Sequence, residues 1–130
     1  GLEVFDGSVV LVAFLVGWCP YCQAQTEKLE ELHHEVQEAG QDVVFVTVHG
    51  LSANNHEDRA KLTSRCTFPI LQDTDAAGVW AKSQGGKDDF LIYAPDGRLL
   101  EVLPPASGTN LNNPEHYASL KPKLLEAASP

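Results

Sequence analysis

The sequence predicts an α/β fold: a mixed central β-sheet with helices on both faces, built from residues 1–130 as one domain. Three observations predict it. The run Val9-Val10-Leu11-Val12-Ala13-Phe14-Leu15-Val16 is almost wholly apolar, as in a strand buried on both faces. From Pro20 to Ala39 the apolar period changes to three or four residues, and a second strand-like run, Asp42 to His49, follows. A strand, helix and strand of this length form a right-handed crossover that leaves the strands parallel. Farther on, two apolar stretches flank Ala94-Pro95-Asp96-Gly97, which reads as a hairpin turn.

Each element can be justified in turn. Ser8 to Val16 is the central strand. In the first helix Cys22, Thr26, Leu29, Leu32 and Val36 share a face, the glutamates fall mostly elsewhere, and Gly40 supplies a stop. Asn54 to Arg65 is expected as a second helix, Pro69 to Leu71 as a short strand, and Asp75 to Ser83 as another short helix. Asp89 to Tyr93 and Arg98 to Leu103 are the hairpin strands, with Pro95 presetting the turn and Gly97 tolerating a positive φ. Pro104 to Asn113 reads as a loop. The last helix, Pro114 to Ala128, has Asn113 as N-cap and Pro114 at its first position, with Tyr117, Leu120, Leu124 and Leu125 available for burial.

Composition narrows the function classes. Of 130 residues 43% are apolar and 21% charged, enough for a core of one domain. The longest apolar run, eight residues, is far short of the roughly 20 that cross a bilayer. Eighteen acidic against nine basic residues give a formal charge of −9, which repels phosphate backbones and anionic lipid. Neither nucleic acid nor a membrane is therefore an expected partner. Three cysteines are too few for a disulfide scaffold, and the odd count leaves at least one thiol unpaired within the chain.

Two of those cysteines lie in Gly17-Trp18-Cys19-Pro20-Tyr21-Cys22, where a buried strand meets a helix. With Cys19 at the N-cap and Pro20 at the first helical position, free N–H groups and the helix dipole favour a thiolate, which makes Cys19 the expected nucleophile. Cys22, one turn farther in, is roughly 5 Å away between Cα atoms and is placed to resolve a mixed disulfide. Two other readings stand beside this one. A metal site needs about four ligands, and the chain offers no second Cys pair and no HxxxH; His33 and His34 lie roughly 16 Å along the helix. A purely space-filling pair is the third reading.

Other residues are candidates for lesser roles. His49 ends the second strand on the edge expected to carry Cys19, where it could tune the thiolate or move a proton, or simply be solvated. Trp18, Pro20 and Tyr21 flank the sulfur as a shallow docking surface, with packing as the other reading of Trp18 and Tyr21. Cys66 reads as an inert, half-buried thiol, with regulatory or intermolecular disulfide chemistry as the second reading, and His33, His34, His56 and His116 as surface residues.

The Trp18-Cys19-Pro20-Tyr21-Cys22 run resembles the thioredoxin superfamily, and Pro20-Tyr21 is the dipeptide typical of glutaredoxins. Gly7-Ser8-Val9, Lys28-Leu29-Glu30 and above all Gly86-Lys87-Asp88-Asp89-Phe90-Leu91-Ile92-Tyr93 with Gly97-Arg98-Leu99 resemble the N-terminal domain of the selenoprotein P family. That resemblance implies selenocysteine at the position of Cys19 and cysteine at that of Cys22. Whether Cys19 stands in for selenocysteine is open; no other cofactor is implied beyond an external thiol reductant. It also implies an extracellular or periplasmic home. Thioredoxins carry a buried acid where this chain has Ala13, and a cis-proline where it has Gly86-Lys87-Asp88, so Lys87 or its backbone is expected to face the sulfur pair.

Two function classes follow. In the first, the chain is a thiol oxidoreductase: Cys19 attacks a peroxide or a protein disulfide, Cys22 closes a disulfide onto it, and a thiol donor resets the pair. The missing acid and proline tilt that reading slightly toward peroxide. In the second, the fold is a non-catalytic module for selenium handling or partner binding.

Overall fold

The computed structural model describes residues 5, 7–83, 86–105 and 109–128. Strand β1, Val9–Leu15, is buried at every position and lies at the centre of a five-stranded sheet of order β3-β2-β1-β4-β5. It pairs in parallel with β2, Val43–His49, and antiparallel with β4, Phe90–Tyr93. The short β3, Ile70–Gln72, adds in parallel to β2, and β5, Leu99–Leu103, closes the other edge antiparallel to β4. The sheet is mixed, as the crossover and the hairpin require.

Alternation along β1 divides the core in two. Val9, Leu11, Ala13 and Leu15 face a large cluster with Leu29, Leu32 and Val36 of helix α1 (Pro20–Glu38), Leu62 of α2 (His56–Thr63), and Leu120 and Leu124 of α4 (Pro114–Ala128). Burying each such aliphatic side chain contributes about 1.5–3 kcal/mol. Val10, Val12 and Phe14 face the opposite cluster, which the four-residue helix α3 (Val79–Lys82) covers. There the Trp80 ring stacks on Phe14 with centroids 5.1 Å apart, and its indole N–H donates to the Val48 carbonyl. Among the described residues helices thus lie on both faces, α1, α2 and α4 on one and the short α3 on the other.

The α1 face is buried as its period implies, with Gln25 buried beside the five expected residues. Gly40, at φ +79°, ends the helix as its N–H returns to the Gln37 carbonyl. Strands β1, β2, β4 and β5 and helix α1 fall one residue short at one or both ends, and three further elements are shorter or shifted. Helix α2 starts at His56 rather than Asn54, because the Asn55 side chain caps the Asp58 N–H and Leu51–Ala53 winds into a 3-10 turn. Strand β3 starts one residue late, since Pro69 has no N–H and supplies only a carbonyl to Thr47. Helix α3 begins at Val79, not Asp75. The buried Asp73 carboxylate accepts from the N–H groups of Thr74, Val79 and Trp80, so the intervening residues form the turn it organises.

The hairpin turn closes with Gly97, φ +86°, donating to the Ala94 carbonyl. In α4 the Asn113 side chain caps the Glu115 N–H, and the helix continues across Pro122, which removes one intrahelical donor. Of its expected core residues Leu120 and Leu124 are buried and Tyr117 is half-buried. Residues 106–108 of the expected loop lie outside the described residues. Among the described residues no helix is long and apolar enough to cross a membrane.

Candidate active site

Both cysteines of the pair are positioned by the end of β1. After Leu15 the chain turns through Gly17, whose N–H donates to His49 Nε2 at 2.8 Å and whose carbonyl accepts from Gln23 Nε2 at 2.8 Å. A Cβ on Gly17 would lie 1.8 Å from the Asp58 carbonyl oxygen, so only glycine lets the first turn of α2 pack this closely. Cys19 then takes an extended conformation as the N-cap of α1, without a side-chain cap bond, and Pro20 stands at N1.

The surroundings of the two sulfurs differ. Partial burial pushes the Cys19 thiol up, but the N–H of Cys22, the Lys87 ammonium, the Cys22 thiol and the Tyr21 N–H outweigh it and hold Cys19 below the ordinary thiol range. Cys22 is fully buried; that burial, and next to it the Asp88 carboxylate, push its thiol far above that range, with the Val16 backbone and Lys87 offsetting part of the rise. Neither sulfur is bonded: both are free thiols, as is Cys66.

The segment 86–89 faces this pair. It is fastened to β1 by Asp88 N–H to the Phe14 carbonyl at 2.7 Å and by Phe14 N–H to the Asp89 carbonyl at 3.0 Å. Lys87 Nζ pairs with Asp88 Oδ2 at 3.0 Å, lies 5.8 Å from the Trp18 ring centroid, and puts a positive charge near the Cys19 sulfur, which favours its thiolate. Despite partial burial, Asp88 and the two sulfurs hold the ammonium charged. Cys22 Sγ donates to Asp88 Oδ1 at 3.3 Å. Trp18 is 49% exposed, Pro20 is exposed and Tyr21 is half-buried, a surface beside the Cys19 sulfur.

No local pattern in the sequence marks Asp88 as the acid of this site, since the position at which thioredoxins carry one is Ala13. The signal lay in strand register: Ala13 pairs with Phe90, so the residues just before β4 reach the end of β1 that leads to the cysteines.

His49 reaches the expected edge but does neither of the things expected of it. It is fully buried, not solvated, and both ring nitrogens are committed. Because the Gly17 N–H can only donate, Nε2 accepts and Nδ1 carries the proton, donating to Gln72 Oε1 at 2.8 Å. No nitrogen remains to receive a proton from Cys19; burial, partly offset by Gln72, keeps the imidazole neutral. His49 is a fastener of the Cys19 loop. Gln72 in turn donates to the carbonyls of His49, Gly50 and Asp73.

Two other histidines also depart from a surface role. The His33 ring packs 5.0 Å from Phe45 and 6.1 Å from Phe68, only 15% exposed, because its turn of α1 lies over the sheet edge. His116 Nδ1 accepts from the Asn110 N–H at 3.2 Å. His34 and His56 are exposed. Cys66 is half-buried, donates to the Leu62 and Phe68 carbonyls, and is raised to about 11 by burial and the nearby Glu30. Among the described residues no three of His, Cys, Asp and Glu gather as metal ligands.

Comparison with known proteins agrees with this architecture. A thiol:disulfide interchange protein of the thioredoxin family from Chlorobium tepidum superposes with a TM-score of 0.69 at 15% identity, over 98% of this chain and 85% of that one. Thiol-disulfide oxidoreductase ResA of Oceanobacillus iheyensis is 25% identical over 104 residues, 78% of this chain and 52% of ResA. Selenoprotein P of Homo sapiens is 32% identical over 102 residues, 75% of this chain; the chain spans about a quarter of the length of that relative, 27%. The family model describing the N-terminal region of selenoprotein P matches residues 2–105. With a thioredoxin-like fold and that match over most of its length, the chain belongs to the family of selenoprotein P N-terminal regions.

Proposed function

We propose that this domain is a thiol-disulfide oxidoreductase in which Cys19 is the attacking thiolate and Cys22 the resolving thiol. The observation that carries the reading is the asymmetry of the pair: one sulfur half-exposed at a helix N-terminus beside Lys87 and held low, the other buried and held high one turn away. The Cys19 thiolate attacks one sulfur of a substrate disulfide, whose other half leaves as a thiolate and takes a proton. The Cys22 sulfur then attacks Cys19 and expels the bound half, leaving a Cys19–Cys22 disulfide that an external thiol reduces. Two electrons pass from the protein dithiol to the substrate, and no bound cofactor is needed.

Disulfides are favoured over peroxides for two reasons. The tilt toward peroxide rested on an absent acid and an absent cis-proline; Asp88 beside Cys22 answers the first of these. The exposed Trp18 next to Cys19 also offers a docking area suited to a protein or an organic disulfide. The test is single-turnover mixing of the reduced domain with an aromatic disulfide that releases a coloured thiol. Wild type should release two equivalents, Cys22→Ser one equivalent with a trapped mixed disulfide, and Cys19→Ser almost none. Equal release from all three would overturn the reading; oxidation of Cys19 by hydrogen peroxide faster than by any disulfide would move it to a peroxidase.

A further inference from the structure

We infer that Asp88 is the proton acceptor of Cys22, the group that takes the thiol proton as the resolving sulfur attacks. The inference rests on the roles proposed above for the two cysteines and adds the residue that makes the second step fast. Its basis is geometric. Cys22 is 0% exposed, so its sulfur is not in standing contact with bulk water, and the carboxylate oxygen Oδ1 of Asp88 accepts from Sγ at 3.3 Å. The other oxygen, Oδ2, is occupied by Lys87 Nζ at 3.0 Å, which leaves Oδ1 to the thiol.

The backbone makes the same point independently. Asp88, at φ +74°, is the one non-glycine among the described residues with positive φ. Such a conformation is uncommon outside glycine and persists where the surroundings hold it. Here the Asp88 N–H to Phe14 bond holds it, and its effect is to turn the carboxylate toward Cys22 across 66 residues of sequence. The charged and titratable groups around it are Lys87, Cys19, Cys22 and Tyr21, while neighbouring Asp89 is turned away to accept from the Gly86 N–H. A buried thiol that is strongly resistant to ionisation needs an acceptor at contact distance.

The step balances. With a mixed disulfide on Cys19, the Cys22 proton passes to Asp88 Oδ1 while the Cys22 sulfur bonds to the Cys19 sulfur. The bond from Cys19 to the substrate sulfur breaks, and the leaving thiolate takes the proton back from Asp88, directly or relayed through water. The carboxylate is restored and no further reductant is consumed in this half.

Asp88→Asn is the test, because asparagine tolerates the left-handed backbone region and keeps the shape while losing the base. Release of the two coloured thiols from the aromatic disulfide is followed separately, and the ratio of second-step to first-step rate is compared with wild type at several pH values. The ratio should fall at least roughly tenfold near neutral pH, and the deficit should shrink as rising pH lets hydroxide replace the carboxylate. Asp88→Glu should recover part of it. An unchanged ratio in Asp88→Asn overturns the inference and leaves the cysteine roles standing. A deficit that is the same at every pH and not relieved by glutamate also overturns it, as a packing effect. Absence of the first step in wild type would instead overturn the cysteine assignment, and this inference with it.

Discussion

The Nε2 of His49 accepts a hydrogen bond from the Gly17 N–H at 2.8 Å, tying the end of β2 to the loop that carries Cys19. The bond exists only while the imidazole is neutral, since a protonated ring has no lone pair for Gly17. Burial holds the folded-state pKa of His49 below its ordinary value of 6.5. The unfolded chain therefore binds this proton first, so stability is greatest above that value and falls as pH drops through it. The expected slope is up to about 1.4 kcal/mol per pH unit over the window just below 6.5. Urea titrations at a series of pH values should show the fall in wild type and its loss in His49→Phe. That variant should also be less stable by about 1–3 kcal/mol at pH 7, having orphaned the Gly17 N–H. Parallel pH profiles in the two proteins would contradict the assignment of the bond.

Gln25 is a second long-range fastener, and its deletion should be felt far from α1. Its side chain is fully buried, donating to the Thr109 carbonyl at 2.7 Å and accepting from the Leu111 N–H at 2.8 Å. Truncation to alanine leaves two backbone groups without partners, at about 1–3 kcal/mol each when they stay buried. Gln25→Ala should lose roughly 2–4 kcal/mol by chemical denaturation, and the Leu111 amide should exchange with solvent much faster. A variant with wild-type stability and a protected Leu111 amide would show that this loop is held by other contacts.

What could be read from the chain, and what could not, divides along physical lines. Strand β1 was legible because a strand buried on both faces is apolar at every position, as Val9 to Val16 is, and the α1 face because one-sided burial imposes a 3.6-residue period, which Cys22 to Val36 carries plainly. The cysteine pair was legible as a pair because Pro20 marks the helix start. Helix α3 was overextended because its boundary depends on Asp73, whose carboxylate caps it from outside the helical pattern. His49 and Asp88 were beyond local reading for the same reason. Their partners lie 32 and 66 residues away and meet them only once the sheet register is set.

Reactivity of the three thiols should follow their surroundings. Cys19 is lowered by the helix N-terminus and Lys87, Cys66 is raised to about 11, and Cys22 is raised further and has no exposed surface. An alkylating reagent attacks the thiolate, and a thiol near 11 is ionised in only about one molecule in a thousand at pH 8. Limited treatment of the reduced protein with iodoacetamide, read by peptide mass spectrometry, should therefore modify Cys19 first, Cys66 far more slowly and Cys22 last. Lys87→Ala should slow the Cys19 reaction at neutral pH by about threefold or more, because the sulfur loses its cation and faces an Asp88 no longer paired. The rate at high pH should be little changed, since the thiol is then ionised in both proteins. Equal alkylation of Cys19 and Cys66, or a Lys87→Ala protein with an unshifted pH profile, would mean that the electrostatic contrast between these sulfurs does not govern their chemistry.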